Sequence, residues 1–141
     1  MKKLLFLLFP VFALAQLPNL NSEKDIRTHF DNNGAEFIEG IWEYTSLTGG
    51  AYRLAIFKDE FYYKAYVIEK SGEWNVGEIK ATFERLSNNG YEIISKWTMG
   101  DKANKNTTKG SVFQDLSTIS VDDALLSPTA DIRLIRTYPK K

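Results

Sequence analysis

Residues 77–84 read Gly-Glu-Ile-Lys-Ala-Thr-Phe-Glu, and this stretch decides the fold class. Apolar or small residues occupy the odd positions and polar residues the even positions, which is the two-residue period of a half-buried strand. An amphipathic helix would instead repeat its apolar residues every three or four positions. The stretch therefore predicts a strand with one face on a hydrophobic core and the other in solvent.

Similar segments recur along the chain, where runs of β-branched and aromatic residues are separated by turns rich in Gly, Asn, Asp and Ser. Their spacing of roughly ten residues is typical of an antiparallel meander. An open eight-stranded sheet would leave unpaired edges, so we expect closure into a barrel. The predicted fold class is all-β, an eight-stranded antiparallel meander closed into a barrel, with one short N-terminal helix. The predicted strands are residues 36–46, 51–58, 61–70, 76–86, 91–99, 107–114, 116–121 and 131–138.

The helix is predicted over residues 22–32. Ser22 suits the N-cap position, and acidic residues follow in the first turn, where the helix dipole favours negative charge. Ile26 and Phe30 are four residues apart and would share one face of this helix. The preceding residues 16–21 are polar and contain a proline, so we expect a flexible lead-in.

The first fifteen residues have the three parts of a secretory signal peptide. Lys2 and Lys3 form a positive start, residues 4–14 are apolar (LLFLLFPVFAL), and Ala13-Leu14-Ala15 fits a cleavage site. This apolar run is too short to span the ~30 Å hydrocarbon core of a bilayer. We expect cleavage after Ala15, a periplasmic or secreted mature chain, and one barrel domain over residues 22–141.

Composition excludes several classes of protein. The chain has 141 residues, 18 basic and 18 acidic side chains, and no cysteine. A net charge of zero disfavours a nucleic-acid-binding protein, which usually carries a basic excess. The absence of cysteine excludes disulfides, thiol nucleophiles, thiolate metal sites and a lipoprotein anchor.

Catalytic chemistry has little support in the sequence. His29 is the single histidine, and none of the serines lies in a Gly-x-Ser-x-Gly motif. Carboxylate pairs that could serve a glycosidase are too abundant to single one out, so an enzyme is kept only as a remote alternative. We expect no catalytic residues, no metal site, no cofactor, no nucleic-acid partner, no membrane span and a monomeric protein.

Two features, one on the first predicted strand and one on the last, carry a resemblance to a known family. Gly40-Ile41-Trp42 directly follows the predicted helix, and Arg136 lies on the last predicted strand. This order resembles the calycins, the lipocalins and their relatives, in which a basic residue of the final strand packs over the Trp ring at the closed end. Such a cation–π contact is worth ~0.5–2 kcal/mol. The resemblance implies a lipocalin-like barrel with Trp42 and Arg136 as this pair, or Arg133 if the register is shifted.

The chain also resembles a small β-rich domain of secreted bacterial proteins, a domain sometimes appended to trypsin-like serine proteases. This resemblance implies the fold and the secreted location, and it brings no catalytic triad and no other chemistry to this chain. The segments that carry it are IEGIWEY (38–44), YRLAIFKD (52–59), WNVGEIKATFE (74–84), KWTMGDKANKN (96–106) and LIRTYP (134–139).

Aromatic residues make up 13% of the chain, which leads to two hypotheses for binding. The first is a secreted, non-catalytic barrel for a small apolar or amphipathic ligand, because such sites are apolar with few polar groups. Its candidate lining residues are Trp42, Tyr44, Tyr63, Phe83 and Trp97. The alternative is a protein- or glycan-interaction module with a solid core and an exposed aromatic patch that includes Tyr62 and Tyr66.

Overall fold

A computed structural model describes residues 16–45, 51–122 and 132–140. These residues form one helix and eight strands, and each strand pairs antiparallel with its neighbours in chain order. The last strand pairs with the first, so the sheet closes into a barrel and the predicted fold class is confirmed. The elements are α1 Glu23–Asn33, β1 Gly40–Thr45, β2 Ala51–Asp59, β3 Tyr62–Val67, β4 Ile79–Arg85, β5 Glu92–Thr98, β6 Lys105–Val112, β7 Thr118–Val121 and β8 Ile132–Tyr138.

The first strand is shorter than its predicted range. Residues 36–39 form a turn, in which the Glu39 N–H donates to the Glu36 carbonyl oxygen at 2.8 Å. Phe37 has a φ of 51° in this turn, which lies outside the β region. The predicted signal peptide, residues 1–15, lies outside the described residues.

Helix α1 lies on the outer surface of the barrel. The Ser22 hydroxyl caps its first turn by accepting a backbone N–H three residues later at 3.2 Å, and Gly34 follows its last residue with a φ of 78°. Ile26 and Phe30 are buried, as their spacing predicts, and Phe30 stacks on Phe57 of β2 with ring centroids 5.1 Å apart. The helix thereby buries the outer face of β1 and β2.

Trp42 and Arg136 meet at one end of the barrel, here termed the closed end. The Arg136 guanidinium carbon lies 4.6 Å from the centroid of the Trp42 ring, and the indole N–H donates to the Ile38 carbonyl oxygen at 2.9 Å. Arg133, the alternative partner, is exposed instead. The register of β8 therefore turns Arg136 inward and Arg133 outward.

The Arg136 guanidinium also joins segments that are far apart in the chain. It donates to three backbone carbonyl oxygens, those of Phe37 (2.5 Å), Glu39 (2.5 Å) and Leu116 (2.8 Å). Burial lowers the pKa of Arg136 to about 10, so the side chain remains charged at neutral pH. A buried cation is tolerated here because its N–H groups have carbonyl acceptors.

Gly40 gives Arg136 the space that it needs. A Cβ atom at residue 40 would overlap the Tyr138 carbonyl oxygen and lie 2.8 Å from a guanidinium nitrogen of Arg136. The φ of Gly40 is also +146°, a conformation that L side chains rarely adopt. The glycine of Gly40-Ile41-Trp42 is thus required by the close approach of β8 to β1.

Gly40→Ala is expected to destabilise the protein by ~1–3 kcal/mol, because the new methyl group displaces the Arg136 guanidinium and the β8 backbone. Urea unfolding followed by tryptophan fluorescence would show the loss as a lower midpoint. Gly100→Ala is the matched control, since a Cβ at residue 100 has no neighbour within 4 Å. Equal midpoints for the two variants would contradict this role of Gly40.

Candidate functional site

The opposite end of the barrel, here termed the open end, is where β1, β3, β5 and β7 finish. Tyr44, Tyr52 and Trp97 are the aromatic residues that β1, β2 and β5 direct inward near this end. The connection between β3 and β4, residues 68–78, also lies at this end and places Trp74 against the same interior cluster. The open end is therefore walled by aromatic rings.

The interior towards the closed end is filled by side chains. Trp42 and Phe83 are both 0% exposed, as are Leu54, Ile56 and Leu134 around them. A side chain that bordered a water-sized void would retain accessible surface. No such void therefore borders these five residues.

The five predicted lining residues all belong to the interior cluster, but they occupy different levels of the barrel. Tyr63 makes an edge-to-face contact with Phe37 at 5.7 Å, and the Phe37 carbonyl accepts from Arg136 at the closed end. Phe83 lies between, with its ring centroid 6.0 Å from that of Trp97. The structure thus brings Tyr44 and Trp97 together at the open end and places the other three deeper in the packed interior.

Contacts between rings connect the aromatic residues of the open end. Tyr44 stacks on Tyr52 at 4.8 Å and meets Trp97 edge-to-face at 5.4 Å. The Trp97 indole N–H donates to the buried Ser95 hydroxyl at 3.0 Å, which orients the ring. Sequence reasoning missed Tyr52, although its place opposite Tyr44 across the β1–β2 connection was a usable signal.

A surface cavity lies at the rim of this end, where Arg53 pairs with Glu43 and with Glu23 of the outer helix. Tyr44 and Tyr52 border this cavity of about 240 Å³, together with Glu43, Ala51, Arg53, Glu69 and Lys70. On the opposite side of the barrel, the first part of β6 directs Asn106, Thr108 and Gly110 inward, and all three are half-buried. The wall opposite the tyrosines therefore has no large side chain on this strand.

Lys80 is the residue at this end that sequence reasoning missed most clearly. Strand pairing matches Ala65 with Ala81 and Tyr66 with Ile79, so Lys80 is the extra residue of a β-bulge. As a result Lys80 is buried and Ile79 is exposed, which is the reverse of the simple alternation that their types predict. The alternation prediction is wrong at these two positions, because the bulge shifts the phase of β4.

The Lys80 ammonium lies among aromatic rings. Lys80 is 7% exposed, and its Nζ lies 4.1 Å from the Trp74 ring centroid and 5.2 Å from the Tyr52 ring centroid. It donates one hydrogen bond, to the Thr98 carbonyl oxygen at 3.1 Å. Burial lowers the pKa of Lys80 to about 8, because desolvation disfavours the charged form.

Trp74 is held in place by its own turn and by a second lysine. Ser71 and Trp74 exchange two backbone hydrogen bonds, at 2.9 and 3.1 Å. The Lys102 ammonium lies 5.4 Å from the Trp74 ring centroid and is paired with the Glu78 carboxylate at 2.9 Å. Trp74 therefore has a cation from each of two elements near its ring, and of these two cations only Lys102 has a carboxylate partner among the described residues.

The remaining aromatic predictions concern β3 and the turn before it. Tyr63 points inward, whereas Tyr62 and Tyr66 lie on the outer face, as their alternation predicts. Phe61 does not share the face of Tyr63: it lies in the β2–β3 turn and is 82% exposed. Tyr66 is half-buried and meets Phe57 of the helix-covered cluster at 6.1 Å.

Within residues 16–45, 51–122 and 132–140, no group of His, Asp or Glu side chains could hold a metal ion, and no helix is long and apolar enough to cross a membrane. His29 packs edge-to-face on Phe30 and Phe57 at about 5.5 and 5.4 Å. This histidine is therefore part of the contact between helix and barrel.

The closed eight-stranded antiparallel barrel with its single helix is consistent with a lipocalin-like fold. Comparisons with protein-family models, with curated proteins and with solved structures found no match to this chain. Inference about function therefore rests on the geometry of the open end.

Lys80→Met is expected to raise the free energy of unfolding at pH 7 by about 1–3 kcal/mol, since it removes a buried cation that has no counter-ion among the described residues. The wild-type free energy of unfolding should also rise with pH between about 8 and 10.5. In that range the unfolded chain keeps the Lys80 proton that the folded protein has released. This rise should be absent in Lys80→Met.

Urea unfolding at several pH values between 7 and 10 measures both effects. Lys96→Met is the matched control, because Lys96 lies on the neighbouring strand and is exposed. Tyrosine ionisation affects all three proteins alike, so the comparison isolates Lys80. A Lys80→Met profile parallel to that of the wild type would contradict the burial of the ammonium.

Proposed function

We propose that this protein is a secreted, non-catalytic binding protein that holds a small amphipathic ligand at the open end of its barrel. The observation that carries the proposal is the cluster of inward rings at that end, Tyr44, Tyr52 and Trp97, with the Lys80 ammonium 5.2 Å from the Tyr52 ring centroid. Aromatic walls with a few placed polar groups are the usual composition of a small-molecule site. Such a site suits a ligand with an apolar body and one polar end.

The depth of the site limits the ligand. Trp42 and Phe83 fill the interior below it, so the ligand body contacts Tyr44, Tyr52 and Trp97 and does not extend to the closed end. The ligand is therefore small, or part of it extends out of the barrel.

Binding without catalysis is supported by the surroundings of Lys80. Its ammonium contacts a backbone carbonyl and two aromatic rings, and no described carboxylate or histidine is hydrogen-bonded to it. Acid–base catalysis commonly uses a second group that exchanges protons with the first. A lone cation beside rings instead suits the recognition of a ligand.

A second candidate function is favoured by the outer face of β3, β4 and β5. Tyr62 is 48% exposed there and borders a groove of about 450 Å³ with Thr82, Glu84 and Lys96. This groove could receive a glycan or a segment of a protein partner, since an aromatic ring with polar neighbours can stack on a sugar and hydrogen-bond it. Tyr66 packs near the helix and does not extend the patch.

The binding proposal predicts a change at Tyr52. Titration with 1-anilinonaphthalene-8-sulfonate, an amphipathic anion with an aromatic body, should give a fluorescence increase with one site per chain. Tyr52→Leu should weaken this binding roughly tenfold, because it removes a ring from the inward cluster at a cost of about 1.4 kcal/mol.

Tyr62→Ala is the matched control, because it removes a tyrosine of the outer face and should leave the affinity unchanged. Loss of binding in Tyr62→Ala with no change in Tyr52→Leu would move the site to the outer groove. The absence of any saturable binding to the wild type would overturn the proposal of a site in the open end.

Export is the other part of the proposal, and the signal-peptide pattern of residues 1–15 supports it. When the full chain is expressed in a bacterium with an outer membrane, the protein should be released with the periplasmic fraction. Its intact mass should correspond to a chain that starts at Gln16. Recovery of the uncleaved chain in the cytoplasm would contradict export.

A further inference from the structure

The barrel contains two buried basic side chains near aromatic rings, Arg136 and Lys80, and their hydrogen bonding differs. Arg136 donates to three carbonyl oxygens and lies over Trp42, so its role at the closed end is structural. The Lys80 ammonium has three N–H groups and donates to one carbonyl oxygen, that of Thr98. Two of its donors have no acceptor among the described residues.

Within the part of the chain that the structure describes, the charged groups around Lys80 do not supply a counter-ion. On the β3–β4 connection, the Glu78 carboxylate accepts from Lys102 at 2.9 and 3.0 Å and from the Asn75 N–H at 2.7 Å. Lys102, on the β5–β6 connection, adds a second positive charge near Trp74, and Tyr52 on β2 is a phenol. The described surroundings of the Lys80 ammonium therefore have an excess of positive charge.

Three other lysines of the described residues form ion pairs and show the contrast. Lys58, Lys64 and Lys102 each lie within 2.5–3.0 Å of a carboxylate oxygen, those of Glu36, Asp59 and Glu78. These three pairs are at the surface, where an ion pair adds little to stability. Lys80 is more deeply buried than any of them and has no such pair among the described residues. A buried cation without a partner is costly to the folded protein, which makes an incoming anion the natural complement.

We propose that the ligand of the open end is an organic monoanion, with a carboxylate or sulfonate head group that pairs with the Lys80 ammonium. This inference rests on the proposed function, because it assigns the polar end of the ligand whose body contacts Tyr44, Tyr52 and Trp97. The two donors of Lys80 that have no acceptor among the described residues match the two oxygens that such a head group presents.

Pairing of this kind makes binding depend on pH. The free protein has a lowered Lys80 pKa of about 8, and a bound anion raises it, so binding of the anion is linked to protonation of the amine. Affinity for the anion should therefore be greatest below pH 8 and fall as the pH rises above it. A neutral ligand with the same body gains no charge interaction from the proton and should not show this fall.

The test uses two fluorescent probes that share one aromatic body, 1-anilinonaphthalene-8-sulfonate and the neutral N-phenyl-1-naphthylamine. The wild type should bind the sulfonate at least tenfold more tightly at pH 7, and this preference should shrink roughly tenfold by pH 9.5. Lys80→Met should bind both probes with similar affinity at both pH values. Lys80→Arg, which restores a cation, should recover most of the preference at pH 7.

Lys109→Met is the matched control, because it removes an exposed positive charge of β6 that does not border the groove of Tyr62, and it should keep the wild-type preference. Equal affinity of the wild type for the two probes would overturn the anion proposal while leaving the binding site intact. Failure of the wild type to bind either probe would overturn the proposed function itself. A preference lost equally in Lys109→Met and Lys80→Met would overturn the inference by assigning the effect to overall charge.

Discussion

The Arg136 guanidinium is the contact on which the barrel depends. It connects β8 to the turn before β1 through the carbonyl oxygens of Phe37 and Glu39, and to the β6–β7 connection through that of Leu116. These carbonyls belong to segments up to 99 positions away from the arginine along the chain. Sheet closure brings those segments together, and the guanidinium gives their orphaned oxygens a partner. The same contact explains two further residues. Gly40 leaves the space that the guanidinium occupies, and the Trp42 ring packs against the guanidinium.

Each end of the barrel contains a buried cation, and the two cations differ in how many hydrogen-bond acceptors surround them. At the closed end, three acceptors and an indole satisfy Arg136, and the side chains around Trp42 leave no accessible surface. At the open end, Lys80 has one acceptor and lies beside the rings of Trp74 and Tyr52. Packing to native density stabilises the first arrangement, whereas the second leaves hydrogen-bonding capacity for a ligand. A barrel that closes firmly at one end can hold such a site at the other.

Much of this fold is predictable because its signals are local. The period of two along residues 77–84, the Ser22 cap and the turn residues between strands depend only on neighbours in sequence. The pairing of Trp42 with Arg136 follows from a resemblance and from the inward face of the last strand. The site is less predictable. Three of its five proposed lining residues lie deeper in the packed interior. Alternation along residues 77–84 predicts Lys80 on the solvent face, whereas the structure buries it.

The sequence by itself determined the strands, the helix, the closure of the sheet and the supply of inward aromatic residues, because alternation and turn chemistry act within a few residues. Tertiary structure decided which of those residues lie at the open end, where a ligand can contact them. The bulge in β4 arises from how β3 and β4 pair, and that register depends on the whole barrel. It moves Lys80 from the outer face to a position beside Trp74 and Tyr52. A shift of one residue in one strand therefore converts a surface charge into the central polar group of the candidate site.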